Sequence, residues 1–233
     1  MIREQKIILQ EGLVDVMRVR FDEQLQELNV QMIEMGSLCE QVINRTYEVL
    51  MEENQEAARE IIRKDQEIDH KEKEIENMCL KLLLQQQPVA RDLRQISAAL
   101  KMITDMERIG DQAADIAEIL ETSHLQAPDE SIPIREMAVA TMNMVNESID
   151  AYVKRDLYMA QKVIDSDDAV DELFVRIREQ LIERLKHPGF DGAYIMDLLM
   201  IAKYYERIGD HATNIAEWVE FSITGVHRGD KER

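Results

Sequence analysis

The sequence predicts an all-α protein: a tandem repeat of two three-helix bundles, six long helices with short connections. Three observations predict it. Only 8 Gly and 4 Pro stand among 233 residues, so positions that end a helix are scarce. Apolar residues recur at steps of three and four over stretches of about thirty residues, the period of a helix buried along one face. And "ERIGDQAADIAE", beginning at Glu107, returns as "ERIGDHATNIAE", beginning at Glu206, with nine of twelve positions identical.

Each helix follows from its seam. Phe21, Leu25, Leu28, Met32, Met35, Cys39, Val42, Thr46 and Val49 line the first, which breaks near Glu53–Asn54. Ile61, Ile68, Ile75, Cys79 and Leu82 line the second, up to Pro88. A proline is tolerated in the first turn of the next helix, which runs from Val89 to Thr122 through Leu93, Ile96, Leu100, Ile103, Ile109, Ala113, Ile116 and Leu120. "SHLQAPDESIP", Ser123 to Pro133, cannot continue it and reads as a linker. Met137, Thr141, Met144, Ser148 and Ala151 begin the fourth helix, with a break near Arg155–Asp156. Val163, Val170, Phe174, Ile177 and Leu181 line the fifth, broken at Pro188 and Gly189. The sixth runs from Ala193 to Ser222.

The halves align at an offset of 102 up to the proline break and of 99 beyond it. Met35 matches Met137, Asn54 matches Asp156, Asp65 matches Asp167 and Asp69 matches Asp171. Beyond the proline break, Leu93 to Ala117 pairs with Gly192 to Ala216. A unit repeated over long gap-free stretches is a duplicated structural unit.

Composition excludes several functions. Forty-seven Asp and Glu against 28 Lys and Arg give a formal charge of −19, which repels phosphate backbones and anionic lipid. Nucleic acid and direct membrane insertion are therefore not expected, since no run approaches the roughly 18 apolar residues of a spanning helix. The N-terminus does not read as a signal peptide. Cys39 and Cys79 lack a CxxC pattern and fit a reducing, cytoplasmic setting as small core residues. No phosphate-binding glycine loop, GxSxG or Cys–His pair suggests catalysis, and no run of arginines stands out from the acidic background to recognise phosphate.

Acids occur where the seams call for apolar residues. Glu107, Asp111 and Asp115 stand four apart on helix three, answered by Glu206, Asp210 and Asn214 on helix six. Asp65 and Asp69 on helix two are answered by Asp167 and Asp171 on helix five. Gly110 and Gly209 sit inside their helices, each costing about 1 kcal/mol against alanine, so a close approach is expected there. Like charges one turn apart repel, and buried carboxylates need a counter-charge. Two readings satisfy this. One is a salt-bridged helix contact, with Arg91, Arg94, Arg108 and Arg207 as candidate partners. The other is an all-oxygen metal site, suited to Mg²⁺, Mn²⁺ or iron rather than zinc. Glu67/His70 and Glu121/His124 have the ExxH spacing of di-iron bundles, but neither recurs in the other repeat. His211 is a candidate extra ligand or a packing residue.

"MRVRFDEQLQELN" from Met17, "QQPVARDLRQI" from Gln86 and the doubled "ERIGD…NIAE" pattern resemble the PhoU family of phosphate-signalling regulators, over Met17 to Gly225. On that alignment residues 1–16 form an N-terminal extension, 17–122 the first repeat, 123–133 the linker, 134–225 the second repeat and 226–233 a tail. The resemblance implies a homodimeric cytoplasmic protein that restrains the phosphate-starvation response without being an enzyme. It implies two partners: the ATPase subunit of a phosphate ABC transporter and a membrane sensor histidine kinase. It further implies multinuclear metal sites on the acidic pairs. One would use Asp65, Asp69, Glu107 and Asp111, with Asp115 adjacent; the other would use Asp167, Asp171, Glu206 and Asp210. Asn214 in place of an acid, and Phe174 in place of Glu72, make the two sites unequal.

Overall fold

The computed structural model describes residues 2–85, 89–123, 125–129, 131–187, 189 and 191–226, with side chains from Arg18 onward except Gln85. Seven helices are found among them: α1 (Ile2–Glu52), α2 (Gln55–Gln85), α3 (Ala90–Thr122), α4 (Ile134–Lys154), α5 (Leu157–Asp165), α6 (Asp167–Leu185) and α7 (Gly192–Thr224). The expected fifth helix is two segments, α5 and α6, parted at Ser166. The Ser166 hydroxyl bonds back to the Lys162 carbonyl at 2.8 Å, competing with the regular helical ladder. The calls on Pro88, His124, Pro188 and most of the tail lie outside the described residues.

The first turn of each repeat is built alike. Glu53 and Arg155 take left-handed backbone angles, φ 55° and 53°, which ends α1 and α4. The next residue then caps the following helix. Asn54 Oδ1 accepts from the Ala57 amide at 3.2 Å, and Asp156 Oδ1 from the Met159 amide at 3.0 Å. The Asn54–Asp156 match in sequence is thus a matched pair of caps.

The two bundles share one core. α1, α2 and α3 pack together, as do α4 to α7, and α3 and α7 also pack along each other. The apolar seams form a single buried cluster from Phe21 to Val219. α1 also crosses α4, where a Cβ at Gly36 would come within 3.0 Å of Ile149. Across α1 and α7, the fully buried Thr46 and Tyr205 hydroxyls bond at 2.8 Å. Cys39 and Cys79 are buried free thiols, both pushed up to about 12 by burial, as small core residues should be. Leu93 departs from its expected place in the seam: it is exposed, one turn from the start of α3. The linker is pinned by the Ser123 hydroxyl on Asp197 at 2.6 Å and by the Ala127 amide on Glu53 at 2.9 Å. No helix among the described residues is long and apolar enough to cross a membrane.

Candidate functional site

The interior glycines explain how the acids meet. At Gly110 the α2 backbone carries Asp65 so close to α3 that a Cβ would lie 2.7 Å from Asp65 Oδ1 and 3.0 Å from Ile68 Cδ1. At Gly209 the approach of α6 is looser, with Val170 Cγ1 at 3.3 Å and Asp167 Oδ1 at 3.8 Å. Each repeat therefore presses its first acid against the glycine of the ERIGD motif.

In the first repeat the acids raise one another. Asp65 is half-buried, and its carboxyl is pushed up to about 6 by burial first, then by the charges of Asp69, Asp111 and Asp115. Glu107, Asp115 and Glu72 are raised too, with burial the largest cause in each. Asp65 Oδ1 and Glu107 Oε2 are buried without a hydrogen-bond donor. Arg108 is the internal counter-charge, donating to Asp111 Oδ2 at 2.6 Å and lying 3.4 Å from Glu107 Oε2. The second contact is an ion pair and not a hydrogen bond. Of the other candidate partners, Arg91 and Arg94 are at the far end of α3, while Arg207, 5.8 Å from the Tyr204 ring centre, tempers the rise of Asp115.

The second repeat differs in detail. Asp210 is pushed up to about 6 by burial, then by Glu206 and Asp167, against the lowering effect of Lys203. Asp167 is also raised, chiefly by burial, but the Thr213 hydroxyl donates to its Oδ1 at 3.2 Å. Lys203 pairs with Glu206 and lies 5.4 Å above the Phe174 ring. Phe174 thus offers a ring where the first repeat has Glu72. Thr213 and Lys203 were not legible as site residues, because the repeat offset pairs them with Ala114 and Thr104.

Asn214 has a structural role. Its amide donates to Asp105 Oδ1 at 3.1 Å across the α3–α7 contact, and His211 Nδ1 meets the same oxygen at 2.9 Å. An acid at 214 would face Asp105 and be repelled. His211 is accordingly a packing residue here. His70 is exposed and pairs with Glu74 on its own helix at 3.3 Å, so the buried mid-helix setting of a di-iron motif is missing. His124 lies outside the described residues.

The donor set fits a hard cation in kind: carboxylates only, half-buried, several raised, two with orphaned buried oxygens. As placed, no three His, Cys, Asp or Glu side chains among the described residues stand close enough to hold one ion. Arg108 and Lys203 occupy Asp111 and Glu206 instead.

Duplicated helical bundles with a half-buried acidic seam in each define an all-α repeat protein. A PhoU domain model matches residues 32–120 and 134–219. The chain belongs to the PhoU domain family. It is 38% identical over 207 residues to a phosphate-specific transport system accessory protein PhoU homolog of Clostridium acetobutylicum, covering 88% of this chain and 94% of that one. A homolog of the same description from Zymomonas mobilis is 37% identical, covering 91% and 90%. The crystal structure of PhoU from Pseudomonas aeruginosa superposes with a TM-score of 0.82 at 28% identity, covering 88% of this chain and all of that one. The phosphate transport system regulatory protein PhoU from Streptococcus pneumoniae gives 0.82 at 25% identity, covering 89% and 98%.

Proposed function

We propose that this chain is a non-enzymatic accessory protein of a phosphate-specific transport system that restrains phosphate uptake and the phosphate-starvation response. The observation that carries this reading is identity along almost the whole chain to accessory proteins of that system. The ATPase subunit of a phosphate ABC transporter and a membrane sensor histidine kinase are its partners. The site is cytoplasmic, reached at the membrane through those proteins, and the working form is a homodimer. A net charge of −19 supports contact with basic protein surfaces rather than lipid.

The acidic seams hold divalent or trivalent cations in this reading, Mg²⁺, Mn²⁺ or iron before zinc. Asp65, Asp69, Glu107, Asp111 and Asp115 serve one repeat, and Asp167, Asp171, Glu206 and Asp210 the other. A bound cation would neutralise carboxylates that α2–α3 and α6–α7 force together, tying each pair of helices. The buried, donor-less oxygens of Asp65 and Glu107 support it. A second reading, a helical docking protein whose seams are closed by Arg108 and Lys203, is favoured by those two ion pairs.

The adaptor role is tested by affinity capture of the tagged chain from phosphate-replete cells, read by mass spectrometry. Recovery of the transporter's ATPase or of the kinase is expected; recovery of neither contradicts the role. Asp111→Ala with Asp210→Ala separates the two readings, since the docking reading leaves signalling intact in that variant.

A further inference from the structure

Two arginines at the start of α3, Arg91 and Arg94, meet a third from far along the sequence, Arg155, near the end of α7. Arg155, at the left-handed corner between α4 and α5, donates to Gln95 Oε1 at 3.0 Å and reaches the Ser222 carbonyl at 3.4 Å. Arg94 lies along Gly225, which ends α7: a Cβ there would be 3.4 Å from Arg94 Cδ and 3.5 Å from its Nε. Arg91 is one turn before Gln95 on the same helix, so it flanks Arg155 through that residue.

Among the described residues, no acid pairs directly with these three arginines, although the charge of Asp92 reaches Arg155. Arg91 and Arg94 form no ion pair among the described residues. Asp92, the acid between them, is buried and taken by Arg18 at 2.6 Å. Arg91 and Arg94 also stand in the first turns of a long helix, the positive end of its dipole, where cations are disfavoured. Val89 gives that helix no side-chain cap. The carbonyl end of α7 supplies some compensation through Ser222, but two polar atoms remain orphaned. Arg94 Nε is buried with no acceptor, and the Tyr152 hydroxyl, on a residue 2% exposed, has no partner in hydrogen-bonding geometry, with Gln95 and Arg155 as polar neighbours. Arg155 is held below its ordinary value by burial first and then by the charges of Arg91 and Arg94.

We propose that Arg91, Arg94 and Arg155 form a site for a small tetrahedral oxyanion of the phosphate type, separate from the acidic seams. Each guanidinium carries five fixed N–H donors and no acceptor, which matches a dianion with several oxygens and does not match a cation or a neutral ligand. A site of donors alone takes sulfate as well, so sulfate is an expected competitor. The inference is independent of metal in the seams, which the overall charge makes the natural home of cations.

The test uses the full chain in EDTA, so that no metal–phosphate complex forms, with inorganic phosphate as probe and ionic strength held constant with NaCl. Calorimetric titration should show saturable binding, displaced by sulfate. Arg91→Gln, an exposed position, and Arg155→Lys should each weaken it by about tenfold or more, as loss of charge-assisted hydrogen bonds requires. Thermal unfolding of both variants checks that they fold. A phosphate monoester arm separates free from esterified phosphate as ligand: tighter binding of the ester assigns the site to a phosphorylated compound, weaker binding to the free ion. Absence of saturable phosphate binding below about 10 mM overturns the proposal, as does binding that is equal in wild type and a folded Arg91→Gln/Arg155→Lys double variant.

Discussion

Gly110 and Asp65 share one space: a side chain at 110 would put its first carbon 2.7 Å from Asp65 Oδ1. Their second-repeat counterparts, Gly209 and Asp167, keep 3.8 Å. The first repeat is therefore the tighter of the two, and its acid is the one left without a hydrogen-bond donor at Oδ1.

Alanine at each glycine measures that difference. The gain in helix propensity, about 1 kcal/mol, is common to both and cancels. What remains is crowding, and Gly110→Ala should be less stable than Gly209→Ala by roughly 1–2 kcal/mol. Urea unfolding of the two variants checks it; equal stabilities would mean that Asp65 and Ile68 simply turn aside.

The raised carboxyls give the metal-free protein a defined pH response. Asp65 and Asp210, each pushed from 3.8 to about 6, bind protons more tightly folded than unfolded. Their stability is present in full below pH 3.8 and is lost as pH rises through 6. Asp65→Asn and Asp210→Asn should then raise the melting temperature at pH 7.5, and the gain should vanish near pH 4. For half-buried groups screened by water we expect about 1 kcal/mol each, or roughly 2–4 °C. Melting curves at the two pH values decide it.

Tyr205 ties α7 to α1 through Thr46. Tyr205→Phe removes one hydroxyl of a fully buried pair, while Thr46 keeps its 2.7 Å bond to the Ile43 carbonyl. Because Thr46 is not orphaned, the loss should stay near 1 kcal/mol rather than the 3 kcal/mol of a stranded polar group. Denaturant titration of the variant measures it.

The helices and their repeat were legible because a buried face repeats with the helical period, and because duplicated segments keep their offset. Asn54 and Asp156 could be paired from sequence and prove to be the same cap. The break at Ser166 was not legible, since it depends on a serine hydroxyl competing for a carbonyl rather than on glycine or proline. Asp65 and Asp167 stood out as acids in apolar seams, and the glycines as a close approach. What each acid faces was hidden. Thr213, Lys203 and Asp105 act across helix contacts, and nothing local marks them. Asn214 could be read as a departure from the repeat, but not that it faces Asp105 across the α3–α7 contact. The grouping of Arg91, Arg94 and Arg155 was hidden for the same reason, being made by the meeting of three helix ends.

The measurement closest to the central claim is metal uptake by the acidic seams. Equilibrium dialysis of the full chain against millimolar Mn²⁺ or Mg²⁺, followed by elemental analysis, should give at least about one ion per chain. Uptake should fall in a folded variant carrying Asp65→Asn and Asp210→Asn. Clearly fewer than one ion per chain in the wild type, or uptake unchanged by the two substitutions, would contradict the account and leave Arg108 and Lys203 as the seams' own counter-charges.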